Sequence, residues 1–233
     1  MLRKSLTAFI TAIIISGCAN PDADLSGVGV DKARLKEIFS NNIPYFPGMM
    51  TEENFTGEAC GNTQNEGCYR IAVLLNENTV ILPRHKYLNR RFVLVANKRG
   101  RQQAVAGIAK GDNSHVAVAK IADGNSSAQA INFTEAKNFY QQQVVVGSFD
   151  ARRQRPVARN ATITGFKAHN DGTEFIELTM TAKPGDIGGP VLSPSGELAG
   201  IIVANPFGKT VPDDVQYAVA SSTIRGLLTE SLD

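Results

Sequence analysis

The chain is most informative first for what it does not contain. No zinc-type CxxC spacing, internal repeat or low-complexity block occurs among its 233 residues, which sets aside zinc ribbons, solenoids and tail-like segments. Past its first 17 residues it has no net charge. Arg3 and Lys4 account for two of the 24 basic side chains, and the 22 that remain face 22 acidic ones. A formally neutral body argues against nucleic acid as the main partner. Cysteine is scarce, three in all. The longest N-terminal apolar run, Leu6 to Ile15, is too short to span the bilayer core.

That run nevertheless has a setting. Arg3 and Lys4 precede it, and Ile15-Ser16-Gly17-Cys18 follows, the order of a basic region, an apolar core and small residues that marks a cleaved export signal. The last four residues resemble the bacterial lipobox. The resemblance implies that Cys18 is diacylated, becomes the new N-terminus and is acylated again with a palmitate-type chain; several chains anchor stably where one does not. Ala19, where an aspartate would signal retention at the inner membrane, implies the periplasmic face of the outer membrane. Cys60 and Cys68 are then an even pair in an oxidising compartment, and a disulfide closing the loop CGNTQNEGC is expected, with two free thiols as the alternative. The roughly 215 residues left after cleavage suffice for one large core or two small ones.

Along the body, Ala19 to Gly29 is rich in Asp, Gly, Pro and Ser, the composition of a tether. Asp31 to Ser40 places Leu35, Ile38 and Phe39 on one side of a short helix that ends before Pro44. Short Val-, Ile- and Ala-rich runs follow between polar turns: 69–75, 79–82, 91–96, 103–108 and 116–121, then 144–149, 161–166, 175–180, 190–192, 198–204 and 215–219. Ser222 to Ser231 predicts a closing helix begun by a Ser/Thr cap. The expected domains are a signal at 1–17, a lipidated tether and helix at 18–56, and β units at 57–135 and 136–233.

Three stretches carry chemistry in a fixed order. Asn78 to His85 reads as a strand and turn ending in a histidine. His115-Val116-Ala117-Val118-Ala119-Lys120-Ile121 is a strand opened by another. Gly185-Asp186-Ile187-Gly188-Gly189-Pro190 is a loop whose backbone N–H groups can converge on an anion. Together with Gly196 to Ile201 and Val215 to Ala220, these stretches resemble the trypsin-like, chymotrypsin-fold serine proteases, nearest the bacterial periplasmic Deg/HtrA branch. The resemblance covers roughly residues 57 to 231 and rests on ordered motifs. It implies an all-β fold of two antiparallel six-stranded barrels, with a short N-terminal and a C-terminal helix.

Residue by residue, the resemblance puts His85 at the catalytic base, His115 where the acidic partner belongs and Ile187 at the nucleophile. Gly185, Asp186 and Ile187 become the oxyanion loop, and Thr181 falls near the specificity pocket. A triad needs an oxygen nucleophile, a histidine base and a carboxylate to orient it, and only His85 fits. Ser193 lies six residues past Ile187, up to roughly 20 Å along an extended strand, too far to share the same cradle. If the His85 and His115 rings touch, both should resist protonation. His85, His115 and Asp112 lack the local spacing of a metal site, and neither a metal nor a cofactor is expected. His169 reads as a solvated hairpin residue, and Arg152, Arg153, Arg155 and Arg159 as a solvated charge run that alternatively meets acidic lipid or an acidic partner.

The expected function is that of a lipid-anchored periplasmic pseudoprotease: an envelope protein or peptide binds beside Ile202, Val203, Ala204 and Asn205, where substrates in the family add a strand, and is not cut. The competing readings are a divergent serine endopeptidase with its nucleophile elsewhere and a structural lipoprotein whose cleft binds nothing.

Overall fold

The computed structural model describes residues 32–43, 45–46, 70–84, 92–98, 101–112, 115–121, 127–150, 155–208 and 212–232. The expected signal, Cys18, the tether, Cys60, Cys68 and His85 lie outside the described residues.

Helix α1, Lys32–Asn41, forms as its spacing predicts, with Leu35, Ile38 and Phe39 buried. Asn42 ends it. The Asn42 backbone N–H donates to the Ile38 carbonyl, and its side-chain amide donates to the carbonyls of Leu74 and Gln129, both at 2.7 Å. A fully buried amide spent in this way ties the helix to the sheet that follows.

The first half of the chain contributes β1 (Tyr45–Phe46), β2 (Arg70–Ile71), β3 (Val73–Leu74), β4 (Thr79–Pro83), β5 (Phe92–Lys98), β6 (Arg101–Asp112) and β7 (Val116–Ile121). The second contributes β8 (Gln143–Asp150), β9 (Arg155–Ala168), β10 (Glu174–Thr179), β11 (Pro190–Leu192), β12 (Leu198–Val203) and β13 (Val215–Ala220), and ends in helix α2, Ser221–Leu232. All ladders between these strands are antiparallel.

The second half closes into the expected six-stranded barrel, in the order β10-β13-β12-β11-β8-β9. The first half differs from expectation: among the described residues it is a seven-stranded sheet, β2-β1-β5-β6-β7-β4-β3, with no ladder joining its ends. Those ends are successive pieces of one segment, Arg70 to Leu74, parted only at Ala72. Backbone groups here are diverted from the ladder, because the Ile71 N–H donates to the Ile187 carbonyl and the Leu74 N–H to the Asn42 carbonyl. The sheet therefore curls until both of its edges belong to the same short stretch of chain.

Alternation along the strands sorts the apolar residues into three layers. Val144, Val146, Ala161, Ile163, Ile176, Leu178, Val191, Ala199 and Ala218 fill the inside of the closed barrel, with every strand contributing. Leu74, Val80, Leu82, Ala117 and Ala119 line the inner face of the first sheet. The opposite faces of both meet in one shared cluster, which joins Ile71, Val73, Ile81, Val116 and Val118 to Phe149, Phe175, Ile201, Val203 and Val219 and takes in the buried side of α1. The two halves are thus built face to face over a common core.

Helix α2 begins one residue earlier than expected, and the hydroxyls expected to cap it have other partners. Ser221 donates to the Thr134 carbonyl and Ser222 to the Glu174 carboxylate, while the Thr223 hydroxyl accepts the Glu174 backbone N–H. Ser222 and Thr223 thus tie the helix to β10, and Ser221 ties it to the segment before β8. Among the described residues no helix is long and apolar enough to cross a membrane.

Candidate functional site

The loop from Lys183 to Pro190 leads into β11 at the junction of the two halves. A 3-10 turn, Pro184–Asp186, opens it. The Ile71 N–H of the first sheet reaches the Ile187 carbonyl at 3.2 Å. On the barrel side, the Gly188 N–H donates to the Ile202 carbonyl and the Ile202 N–H donates to the Gly189 carbonyl, both at 2.8 Å. The loop is therefore stitched to both lobes through its backbone.

Two features fix its shape. Gly188 has φ +88°, and a Cβ there would collide with the Ile71 carbonyl oxygen, so only glycine fits. Asp186 is completely buried. Its carboxylate accepts from Arg159 Nη1, at 2.6 Å to Oδ1, and from the Lys183 N–H at 2.7 Å, while Arg159 Nη2 donates to the Thr181 carbonyl. Arg159 is thus no member of a solvated run. It is a cation drawn 16 % exposed against a buried anion. A sequence window could not find this pairing, because the partner lies 27 positions away on the glycine loop.

Ile187 follows the turn with φ −63° and ψ 124°. Its side chain is half-buried against the barrel interior, in the company of Phe139 and Phe166. A hydrocarbon there offers no attacking atom. The loop also satisfies its own amides: the Asp186 N–H donates to the Lys183 carbonyl and the Gly189 N–H to the Asp186 carbonyl, both at 2.9 Å. In this conformation the N–H groups at 186 and 189 are spent within the loop.

His115 stands immediately before β7, where its carbonyl accepts the Arg84 N–H at 2.8 Å. Arg84 is the last described residue before His85. The His115 ring meets Phe175 edge-on, with centroids 4.8 Å apart, and His169 edge-on at 5.3 Å. Asp171 lies between the two imidazoles, its Oδ2 3.6 Å from His115 Nε2 and its Oδ1 3.0 Å from His169 Nδ1. Burial pushes the pKa of His115 below the usual imidazole range; Asp171 opposes this, and the nearby His169 and Arg84 add to the lowering. Desolvation is thus the first cause; the expected cause, contact with the His85 ring, falls on a residue outside the described ones.

His169 lies in the hairpin as expected, but its ring is only partly solvated and packs against His115 and Phe175. It belongs, with Asp171, to a cluster around His115 that a local reading of the His-Asn-Asp-Gly turn could not anticipate. Phe175 and Phe207 cover one side, with centroid distances to His169 of 6.3 and 6.2 Å. Asp112 lies on β6 opposite Ala117. Ser193 and Ser195 bond to each other at 2.9 Å and to Glu197, and so close the turn between β11 and β12. Ile202 is fully buried with both its backbone groups taken by the glycine loop. Val203 is buried, whereas Ala204 and Asn205 are exposed just past the last rung of β12.

A closed barrel and a curled sheet packed face to face, with a glycine loop held between them, define a two-lobed protein of the serine-protease fold class. Residues 72–201, more than half of the chain, match the family model of a trypsin-like peptidase domain, and the chain belongs to that family. Among solved structures it is similar to the inactive form of the Rv3671c protease, with TM-score 0.60 and 12 % identity over 87 % of this chain and 96 % of that one. The inactive form of a serine-to-alanine mutant of Rv3671c from M. tuberculosis H37Rv gives 0.61 and 12 % over 91 % and 97 %. A serine-to-alanine variant of the HtrA-type protease AlgW, described with a tripeptide, gives 0.63 and 14 % over 86 % of this chain and 63 % of that one. At these identities the likeness is one of fold. No curated protein matches by sequence.

Proposed function

We propose that this protein is a pseudoprotease of the bacterial envelope, lipid-anchored through Cys18 at the periplasmic face of the outer membrane, that binds a protein or peptide in a protease-shaped cleft without cleaving it. The observation that carries the reading is the loop at 183–190. Its backbone is held by Gly188 and by the Arg159–Asp186 pair, while position 187 bears a side chain with no heteroatom. His115 stands where a triad would need a carboxylate to orient the base and to stabilise its charged form. Binding can outlive such losses, because strand addition requires a backbone edge and adjoining pockets, not a nucleophile. With Ile202 already committed to the loop, the edge offered begins at Val203 and continues through the exposed Ala204 and Asn205. The tripeptide described with the HtrA-type neighbour supports a peptide as the occupant.

The test treats the purified, lipidated protein with peptide substrates and with a serine-reactive phosphonate. Neither turnover nor labelling is expected. Activity or labelling that disappears when one particular serine is replaced would establish a nucleophile elsewhere and sink the proposal. In parallel, photocrosslinking in the native envelope is expected to capture a partner that is lost in Ala204→Glu. Capture unchanged by that substitution would show that the cleft is not the binding surface.

A further inference from the structure

The cluster of His115, His169 and Asp171 is not used by the loop or by the peptide edge. We propose that these three residues form a binding site for one late first-row divalent cation of the zinc class, which staples the start of β7 to the hairpin between β9 and β10. Two imidazole nitrogens and one carboxylate suit Zn²⁺ and its neighbours Co²⁺ and Ni²⁺ far better than Mg²⁺ or Ca²⁺, whose ligands are oxygens.

The geometry is close to what such an ion requires. One donor atom from each residue lies within 4.8 Å of the other two. Metal–ligand bonds of about 2.0–2.2 Å in a tetrahedron put ligand atoms about 3.3–3.6 Å apart. The Asp171 carboxylate already stands 3.6 Å from one ring and 3.0 Å from the other. What remains is a closing motion between the two imidazoles, which already face the same carboxylate.

The surroundings favour the ligand forms of these groups. His115 Nε2 and His169 Nδ1 are both sealed from solvent. The Phe175 ring fixes the His115 ring from its edge. The Thr173 N–H donates to Asp171 Oδ1 at 3.0 Å and orients the carboxylate, the kind of outer support that ligating carboxylates have. Asp171 itself is 35 % exposed, which gives the ion a path in and leaves a coordination position for water. Because the ligands come from both halves of the chain, binding would add to the stability of their union.

The test uses the full chain, without a polyhistidine tag, stripped of metal and titrated with Co²⁺. One equivalent is expected to bind with the intense visible bands of a four- or five-coordinate Co²⁺ ion, to be displaced by Zn²⁺, and to raise the melting temperature. His169→Ala and Asp171→Asn should each weaken binding by more than the roughly 10- to 100-fold that even outer-shell changes cost. Asp171→Asn is the deciding variant, since Asp171 lies on a partly exposed hairpin and its metal-free melting curve should match the parent's. Failure of the parent to take up one equivalent, or equal affinity in parent and Asp171→Asn, overturns the proposal. Neither result bears on the absence of peptidase activity, so the two readings fail separately.

Discussion

Arg159→Leu tests whether the glycine loop is held by a buried charge pair. In the parent, the guanidinium meets both oxygens of a carboxylate that is completely buried, and it also serves the Thr181 carbonyl. Leucine keeps much of the side-chain bulk but leaves the Asp186 anion facing apolar surroundings, with the Lys183 N–H still donating to it. Removing one partner from a buried pair costs about 3–5 kcal/mol, chiefly because the charge left behind is uncompensated. With Arg159 16 % exposed, little of that is relieved by solvent. Against a total stability on the order of 5–15 kcal/mol, the variant should melt roughly 6–20 °C lower. Urea unfolding measures the loss directly as a fall in midpoint at constant slope. Adding Asp186→Leu should recover part of it, since the stranded charge is gone. A loss below about 1 kcal/mol in Arg159→Leu, the worth of an exposed ion pair, would refute the argument.

Two further substitutions probe the frame around the site. Gly188→Ala should destabilise by more than about 2 kcal/mol, because it combines a left-handed backbone with a Cβ driven into the Ile71 carbonyl; unfolding by urea at the parent's midpoint would contradict the collision. Phe175→Ala should cost about 3–5 kcal/mol in the same assay, because a fully buried ring in the core shared by both halves is removed. A loss under about 1.5 kcal/mol would mean that the shared core collapses around the gap.

β7 and β11 are readable from the sequence to the residue, because each is a short apolar run, buried almost throughout, that polar or glycine-rich turn residues cut off on both sides. β9 is the informative failure. It runs from Arg155 to Ala168, and its first part pairs with β8 from Asp150↔Arg155 to Gln143↔Thr162, but arginines and a proline at its start look like a loop to any local window. Their place in a strand is decided by the facing strand and, for Arg159, by a carboxylate on a distant loop. The same limit hid His169, whose partners His115 and Asp171 meet it through tertiary packing. β1 is only two residues long and carries no period at all. The glycine loop, by contrast, was legible because its constraints are local and steric, written as glycines in the chain itself.

That loop bears on how such motifs are to be weighed. The restriction at Gly188 comes from a neighbouring carbonyl, and the hold on Asp186 from an internal counter-ion; neither depends on whether any bond is ever cut. Architecture alone would thus hold Gly185, Asp186, Gly188 and Gly189 in GDIGGP whatever the chemistry at the loop. The informative content of the hexapeptide about chemistry is then concentrated in its third position, the one place where the scaffold is indifferent to which atom the side chain presents.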